Sequence, residues 1–544
     1  MKQSWALLLL ILMAPAMAQT TALQLSYQPG QRWVQADYQL PRAVTEFRFE
    51  PEYRQQRQSR WQVPGPEWYF DGESLHRTDG KSFTAFSLQL APDTRFIDRH
   101  YIAVETVGVD GWVLYLPALM AAGGTTAVNV KAPGGHVRRF NGVTAPLPAA
   151  QLALTQPQRD QLLYVGPPQY IEAGTVTIIA GPEIPGWLHD KVKQVTTDVV
   201  ATLSARFAVT TPVTPTLLLT AAKRWNGSAY KGGTYADGMI SFALRGIVLD
   251  QPDRQLLDTI VNTAAHESAH LFNGSIWQSA ANSNQPWLHE GAAEYMAALL
   301  WRDKQDWPRQ AEQHLNNCIN RADVRPLNGA QGAVKNGAPY DCGYVLQLVA
   351  DAAARRHGKD IFTLWNDIFH GAAKGRYTTR DFLAAGAAYG GATFRRLAQL
   401  LLDKPPQPGS PELQTLLAAS GIEVVSRAAD QRDGDLLRGR ALQAVLEGVC
   451  LGRHGFTTLK ESLVFDTGNR CGTELANDPV VVAAQNVNLF TDPAAAYEAI
   501  RSACGKNKPV LFTKADGTRL APVRCTVRLA PLPAVYQVRS LGLP

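Results

Sequence analysis

Alternating hydrophobic and polar residues dominate the first third of the chain. Segments such as 32–38, 101–107 and 112–116 follow this pattern, and clusters of Gly, Pro and Asp separate them. Short alternating runs between turn residues are typical of strands with one buried face. The pattern therefore predicts an N-terminal antiparallel β domain over residues 19–165.

The next part of the chain combines strands with helices. Apolar or Gly-containing runs predict strands at 175–180, 215–220 and 232–242, and a helical stretch is predicted at 188–207. From about residue 252 to 403 the apolar residues recur with a helical period. We expect an α+β domain over 166–300, followed by an all-helical half of the same domain over 301–403.

A Pro-rich stretch then interrupts the helical pattern. Residues 404–411 read Lys-Pro-Pro-Gln-Pro-Gly-Ser-Pro, which cannot continue a helix, so residues 404–412 are predicted to be a linker. Residues 413–544 mix short strand-like and helical runs. They predict a small C-terminal α+β domain.

The first eighteen residues have the pattern of a secretory signal peptide. Lys2 supplies the positive start, residues 5–14 are apolar, and Ala16-Met17-Ala18 forms a small-residue cleavage site. The apolar run is shorter than the ~20 residues that span a bilayer, and no later segment reads as an integral membrane span. We expect removal of residues 1–18 and export to the periplasm or the extracellular space.

Composition and charge narrow the class of protein. The 544 residues are 45% hydrophobic and 18% charged, which is ordinary for a chain of several globular domains. The net charge is +6, from 53 Lys and Arg against 47 Asp and Glu. No clustered basic stripe accompanies it, so nucleic acid is not an expected partner.

Six cysteines occur, all in the second half of the chain. In an exported protein an even number of cysteines predicts disulfides, and no C-x-x-C pair indicates a zinc ribbon or a redox site. Among the fifteen possible connectivities we expect pairing of sequence neighbours. The candidate pairs are Cys318 with Cys342, Cys450 with Cys471, and Cys504 with Cys525.

A short motif on one predicted helix indicates metal chemistry. Residues 253–272 carry a helical apolar stripe, and His266 and His270 lie four residues apart on it. That spacing places both imidazoles on one side of the helix, where they can bind one metal ion. Glu267 lies about 100° around the axis from His266, so it is better placed to contact a metal-bound water than to bind the metal. This is the H-E-x-x-H arrangement of zinc peptidases.

A tetrahedral zinc site with two His needs one more protein ligand and a water. The metzincin pattern is absent, because Asn273 and Ile276 stand where it has Gly and His. Residues 286–295 read Pro-Trp-Leu-His-Glu-Gly-Ala-Ala-Glu-Tyr and begin with a proline suited to start a helix. This segment resembles the W-L-x-E-G-x-A-x-Y segment of gluzincin zinc metallopeptidases, notably the M1 aminopeptidases and the M61 glycyl aminopeptidases.

The resemblance implies a thermolysin-like catalytic domain that binds one Zn²⁺ per chain. It makes Glu290 the third zinc ligand, with His289 as an alternative. Nineteen residues separate His270 from Glu290, one more than is usual in the M1 family, and an extra residue within 274–285 would account for this. Glu294, one turn after Glu290, either orders a ligand His through its free ring N–H or is a salt-bridged surface residue.

The same superfamily places an oxyanion-stabilising tyrosine downstream, often in a Y-x-x-G context. Tyr340-Asp341-Cys342-Gly343 resembles that segment, so Tyr340 is the expected donor, with Tyr344 as the alternative.

One departure concerns recognition of the substrate amine. M1 aminopeptidases carry G-x-M-E-N on a strand before the zinc helix, and its Glu binds the free amine. The best match here begins at Gly232 and Gly233, and Tyr235 stands in place of that Glu. The strand is still expected to line the cleft and pair with extended substrate. Whether the protein is an aminopeptidase or an endopeptidase stays open.

The C-terminal region has a weaker resemblance to the second half of a PDZ module. Strand-like Val480–Val482, a short helical run at 492–500, a strand at 509–513 and a turn at Asp516-Gly517 follow that order. A generic disulfide-linked α+β domain is the alternative.

Together these features predict an exported zinc metallopeptidase that hydrolyses peptide bonds in a peptide or protein substrate. The alternatives are a catalytically weak, peptide-binding scaffold on the same fold, and hydrolysis of a non-peptide substrate such as an epoxide.

Overall fold

The computed structural model describes most of the chain in two compact units, one ending at Pro168 and the other mostly formed by Gln169–Pro544. The described residues are 20–27, 31–92, 103–122, 125–131, 137–140, 143–146, 152–154, 162–212, 214–222, 229–234, 238–245, 254–280, 285–320, 327, 337–403, 406–451, 454–458, 461–467, 471–475 and 479–542. The predicted signal peptide lies outside them. Among them, no helix has the length and apolar character needed to cross a bilayer.

The first unit is built almost entirely of β-strands. Its elements are β1 (Thr20–Ser26), β2 (Val34–Val44), β3 (Glu46–Arg48), α1 (Arg54–Arg60), β4 (Trp61–Gln62), β5 (Trp68–Phe70), β6 (Ser74–Arg77), β7 (Phe83–Leu90), β8 (Val104–Val107), β9 (Gly111–Tyr115), β10 (Thr125–Lys131), β11 (Val137–Phe140), β12 (Val143–Pro146), β13 (Leu152–Leu154) and β14 (Leu162–Gly166). They form sheets in the orders β13-β10-β1-β2-β7-β4, β12-β11-β14-β9-β8 and β3-β6-β5.

Alternation along the strands explains the core of this unit. Val34, Ala36 and Tyr38 of β2 are buried, whereas the residues between them are partly exposed. The Tyr38 ring stacks on Phe86 of β7 with centroids 4.6 Å apart. One pair departs from the predicted antiparallel pattern, since β1 and β10 are parallel. Parallel neighbours require a long connection, and here β2 to β9 lie between them in the chain.

The second unit begins with a mixed sheet and continues with helices. Its first elements are β15 (Ile171–Glu172), β16 (Thr177–Ala180), α2 (Gly186–Arg206), β17 (Thr216–Ala222), β18 (Ala229–Thr234), β19 (Met239–Arg245), α3 (Arg254–His270), β20 (Gln278–Ser279), α4 (Pro286–Trp301), α5 (Trp307–Ile319), α6 (Ala338–Arg355), α7 (Ile361–Gly371), β21 (Arg376–Tyr377) and α8 (Thr379–Asp403). The sheet order is β15-β16-β17-β19-β18. Val195 of α2 and Leu217 of β17 are buried in the same core as Ala264 of α3.

The predicted strand at 232–242 is wrong in one respect. The segment contributes to two strands, β18 and β19, which pair antiparallel with Gly232 opposite Phe242. Gly238, between them, has φ of 79°, a conformation that a residue with a side chain rarely adopts. A Gly-rich apolar run has the same hydrophobic pattern whether or not it turns back, so alternation alone did not separate the two strands.

The C-terminal part of the second unit contains short strands and three helices. Its elements are α9 (Pro411–Ala419), β22 (Ile422–Ala428), α10 (Gly434–Val449), β23 (Gly455–Thr458), β24 (Leu463–Asp466), β25 (Val480–Val481), β26 (Ala483–Ala484), β27 (Val487–Asn488), α11 (Pro493–Gly505), β28 (Phe512–Thr513) and β29 (Ala534–Leu541). They form β22-β29, β23-β24-β25 and β27-β26-β28. The PDZ-like arrangement stays a prediction.

The residues of this part of the chain pack into two different hydrophobic cores. Leu413 of α9 and Tyr536 of β29 belong to the core that also contains α3 to α8. Asn316 of α5 bonds the backbone of Tyr536 in both directions, at 2.7 and 2.8 Å. Leu442 of α10 and Ile500 of α11 belong to a separate hydrophobic core. Residues on both sides of the predicted linker therefore pack together, and the independent core forms from Ala429 onward.

Three disulfides join sequence neighbours in the expected pairing: Cys318–Cys342, Cys450–Cys471 and Cys504–Cys525. The first joins α5 to α6, and the other two lie in the C-terminal part. Such disulfides are typical of proteins in oxidising compartments.

The Cys318–Cys342 disulfide has a testable contribution to stability. It closes a loop of 24 residues, so replacing both cysteines with serine is expected to lower the free energy of unfolding by about 3 kcal/mol. The measurement is the denaturant concentration at the midpoint of unfolding, followed by tryptophan fluorescence. The matched control replaces Cys504 and Cys525, whose loss leaves the α5–α6 connection intact. An unchanged midpoint in the first variant would contradict this account.

Candidate metal centre

Helix α3 brings the two histidines of the H-E-x-x-H motif together. Its buried face includes Ala264, Ala265 and Ala269, whose small side chains let α3 pack closely in the core. His266 and His270 lie on the same side, both nearly fully buried, and their Nε2 atoms are 3.0 Å apart. The spacing of four residues thus places both imidazoles on one side of the helix, as the sequence predicted.

Helix α4 carries the third ligand candidate to the same point. Pro286 occupies the first turn of α4, where its missing N–H costs no helical hydrogen bond. Glu290 Oε2, one turn later, lies 3.2 Å from Nε2 of both His266 and His270. One ligand atom from each of the three lies within 4.8 Å of the others. Two imidazoles and one carboxylate are a donor set that fits zinc and leaves a coordination position free.

The electrostatics of these three residues favour a bound cation. Burial alone would raise the pKa of Glu290, but the charge of His270 and hydrogen bonds from both imidazoles hold this pKa well below its ordinary value. Burial alone would lower the pKa of His266, but its hydrogen bonds to Glu290 and Glu294 raise this pKa well above the usual range. The cluster therefore attracts positive charge, and a metal ion that binds here competes with a proton.

Glu294 orients the first histidine. The Nδ1 atom of His266 donates to Glu294 Oε2 at 2.9 Å, which leaves Nε2 directed at the ligand cluster. Asn262, one turn before His266, donates to the other oxygen of Glu294 at 3.2 Å. Burial opposes ionisation of Glu294, yet the hydrogen bond and charge of His266 bring its pKa to about 2. An ionised carboxylate bound to the far nitrogen of a ligand His fixes the ring and increases its basicity.

Asn273 contacts the second histidine, His270, as Glu294 contacts the first. The Nδ1 atom of His270 donates to Asn273 Oδ1 at 2.9 Å, and Asn273 Nδ2 donates to the carbonyl of His289 at 2.9 Å. The backbone carbonyl of Asn273 accepts from His289 Nδ1 at 3.1 Å and from the buried Tyr377 hydroxyl at 2.6 Å. These bonds connect the end of α3 to the first turn of α4.

His289 stacks on the ligand His270 with ring centroids 4.1 Å apart. Burial, together with the neighbouring His270, lowers the pKa of His289 to about 3. Its Nδ1 is occupied by the carbonyl of Asn273. Within the described residues, the group that fits a metal contains Glu290 and does not contain His289.

A π-helical turn follows the zinc helix directly. Leu271–Ile276 continues α3 with the wider hydrogen-bonding pattern of a π-helix. Such a turn takes an additional residue into a helical segment and is frequent at functional sites. The turn lies between His270 and Glu290 in the chain.

Glu267 and Tyr340 lie beside the ligand cluster. Glu267 is buried, and its negative charge contributes to the raised pKa values of both His266 and Tyr340. Tyr340 lies in the first turn of α6, and 41% of the residue is exposed. Its ring is nearly parallel to that of His266, with centroids 5.7 Å apart. Burial of the hydroxyl and the charge of Glu290 raise the pKa of Tyr340, which keeps it protonated as a donor.

Tyr344, the alternative donor, has a different environment. It is 2% exposed, and its ring packs against His314 and Tyr295 at centroid distances of 4.0 and 5.0 Å. The helical spacing from Tyr340 places it one turn deeper in α6, within the core.

Two glycines determine how closely α4 and α6 approach each other. A side chain on Gly291 or on Gly343 would overlap the backbone of the opposite helix, because the two glycines face each other across the contact. Gly291 directly follows the ligand Glu290, and Gly343 lies one turn after Tyr340. The glycines in the E-G and Y-x-x-G segments thus allow the helical turns of Glu290 and Tyr340 to lie close together.

The strand that contains Gly232 and Gly233 lies at the edge of its sheet. β18 is the last strand in the order and packs against α3, the helix of the metal ligands. An edge strand has unpaired backbone groups that an extended peptide can bind. Tyr235, which stands in place of the amine-binding Glu, lies outside the described residues.

The sequence did not predict that four further residues contact this site: Asn262, Asn273, His314 and Asp341. Asn262 and Asn273 belong to the zinc helix or its extension, and helical spacing from the ligand histidines was a signal for them. His314 and Asp341 belong to α5 and α6, and no local pattern connects them to the motif.

No family model and no curated protein matches the chain. Among solved structures, an aminopeptidase N family protein from Idiomarina loihiensis is similar over 96% of this chain and 98% of its own length, with a TM-score of 0.55 and 12% sequence identity. An M1 zinc metallopeptidase from Deinococcus radiodurans, solved as a mutant with a Tyr-Ser-Ala substrate, covers 73% of this chain and 96% of its own, with a TM-score of 0.42 and 15% identity. The LTA4 hydrolase of yeast covers 78% and 72%, with a TM-score of 0.43 and 14% identity.

The first of these similarities shows a shared fold. It extends over nearly the full length of both chains.

Proposed function

We propose that the protein is an exported, zinc-dependent metallopeptidase that hydrolyses peptide bonds. One observation carries the proposal: His266, His270 and Glu290 converge within 4.8 Å of one another, with Glu267 and Tyr340 beside them. Side chains from three helices meet at this point, and they match the metal ligands, base and oxyanion donor that peptide hydrolysis requires. One zinc ion per chain is expected.

His266, His270 and Glu290 would hold a zinc ion, which would supply Lewis acidity for the activation of a water molecule and of the scissile carbonyl. Glu267 accepts the proton of the attacking water on its carboxylate and delivers it to the leaving amine. The Tyr340 hydroxyl donates a hydrogen bond to the oxygen on which negative charge develops. Glu294 and Asn273 keep the two imidazoles in orientation.

The substrate in this proposal is a peptide or protein segment that binds in extended form along β18. Tyr235 at the amine-binding position leaves both aminopeptidase and endopeptidase action open. The C-terminal residues 413–544, with their PDZ-like order of elements, are proposed as an accessory domain to a thermolysin-like catalytic domain. The three disulfides support a location outside the cytoplasm, as the predicted signal peptide does.

Peptide libraries with free and with acetylated N-termini test this function. Incubation with the purified protein is expected to produce cleaved products by mass spectrometry, and a zinc chelator is expected to stop cleavage until zinc is restored. Cleavage of both libraries indicates an endopeptidase, and cleavage of free peptides alone indicates an aminopeptidase. Stoichiometric zinc without cleavage of either library would contradict the proposal and favour the peptide-binding scaffold.

A further inference from the structure

His314 lies between two carboxylates that belong to other helices. Its Nδ1 atom donates to Asp341 Oδ1 on α6 at 2.8 Å, and its Nε2 atom lies 3.8 Å from Glu294 Oε1 on α4. One face of the ring stacks on Tyr344. Both nitrogens and one ring face are thus engaged, so the side chain has one orientation.

The two carboxylates in turn contact the proposed active site. Glu294 accepts a hydrogen bond from the ligand His266, and Asp341 directly follows Tyr340 in the chain. The Tyr340 ring lies alongside His266. Side-chain contacts therefore run without a break from His266 through Glu294 and His314 to Asp341, and the backbone connects Asp341 to Tyr340.

His314 also separates two like charges. Burial raises the pKa of Asp341, and the negative charge of Glu294 adds to this rise, whereas His314 opposes both effects. Without the imidazole, Glu294 would keep its bonds from His266 and Asn262, and Asp341 would keep its bond from Asn317. The contact that joins the two carboxylates through α5 would be lost.

The Cys318–Cys342 disulfide holds the helices on which this pair lies. Cys318 follows His314 by one turn of α5, and Cys342 follows Asp341 directly on α6. The covalent bond therefore fixes the distance between α5 and α6 next to the contact between His314 and Asp341.

We propose that His314 is a positioning residue that fixes the ligand His266 relative to the oxyanion donor Tyr340. The proposal rests on the proposed function, since it assumes that His266 binds zinc and that Tyr340 meets the substrate. It predicts that His314 affects both zinc retention and turnover without touching either zinc or substrate.

The main test is His314→Phe, which keeps an aromatic ring against Tyr344 and removes both nitrogens. We expect zinc to dissociate about tenfold faster in a competition with a chromophoric chelator, a measurement that needs no substrate. We expect kcat to fall by about tenfold and KM to stay within about twofold, since orientation of the ring contributes to the reaction rather than to substrate binding. The matched control is His357→Phe, at an exposed position near the end of α6.

A second pair of variants distinguishes positioning from general loss of structure. Asp341→Asn keeps an oxygen that accepts from His314, so we expect zinc retention close to that of the wild type. Asp341→Leu removes the acceptor and is expected to release zinc as fast as His314→Phe, while its far-UV circular dichroism shows a folded protein.

Wild-type zinc retention in both His314→Phe and Asp341→Leu would overturn the positioning role. A wild-type protein that binds zinc but cleaves no peptide would overturn the proposed function alone, because zinc dissociation still reports on His314. Should His314→Phe not fold, the difference between the two Asp341 variants decides the question.

Discussion

Replacing Glu267 with Gln is expected to lower kcat for peptide hydrolysis by about a thousandfold and to leave one zinc ion bound. The carboxylate accepts the proton of the attacking water, and an amide of the same shape cannot do so. Glu267 is not among the three ligands that lie within 4.8 Å of one another, so metal binding does not depend on it. The measurements are kcat with a cleavable peptide and zinc content by atomic absorption.

Glu423→Gln is the matched control, because it makes the same chemical change at an exposed position on β22. Its activity and zinc content are expected to equal those of the wild type. Unchanged hydrolysis by Glu267→Gln with zinc bound would show that another group activates the water. Loss of zinc along with activity would show that Glu267 is part of the metal site.

Gly343→Ala is expected to force α4 and α6 apart and so to lower both stability and activity. The new Cβ atom would lie 2.7 Å from the Cα atom of Gly291 and closer still to the carbonyl oxygen of Trp287. Backbone atoms cannot rotate away, so α6 has to move from α4, at a cost of about 3 kcal/mol in the free energy of unfolding. Since Glu290 and Tyr340 then separate, kcat is expected to fall by about a hundredfold.

The matched control for this variant is Gly439→Ala in α10. That glycine also lies within a helix, but no atom comes within 4 Å of the position of an added Cβ. Alanine there is expected to raise the free energy of unfolding by about 0.5–1 kcal/mol, because it reduces the backbone freedom of the unfolded chain. Denaturant midpoints and peptide hydrolysis of both variants provide the test. Equal stability and activity in Gly343→Ala would show that the two helices are not in close contact.

Local spacing accounts for the features of the site that were predictable. His266 and His270 meet because four residues make about one turn of an α-helix, whatever the helix packs against. The Pro286 start of α4 and the segment around Glu290 are also local, and the alternation of β2 follows from a pleat in which every second side chain is buried.

Contacts between distant segments could not be predicted from the sequence and were seen only in the tertiary structure. The parallel pairing of β1 with β10 and the hairpin of β18 and β19 leave the same hydrophobic pattern as simpler arrangements, so the pattern did not distinguish them. The roles of His314 and Asp341 beside Glu294 follow from the packing of α4, α5 and α6, and their sequence positions carry no sign of it.

The sequence by itself placed His266 and His270 on one side of a helix, because this follows from residue type and short spacing. The roles of Glu267 and Glu290 are predictions from the motif and from the resemblance, and the pairing of the cysteines was one expectation among fifteen. Only the tertiary structure decided which groups orient those ligands and that Gly291 and Gly343 allow α4 and α6 to touch. The physical reason is the range of the interactions. Helical and pleated periods are properties of a few consecutive residues, whereas a contact between helices depends on every side chain that packs between them.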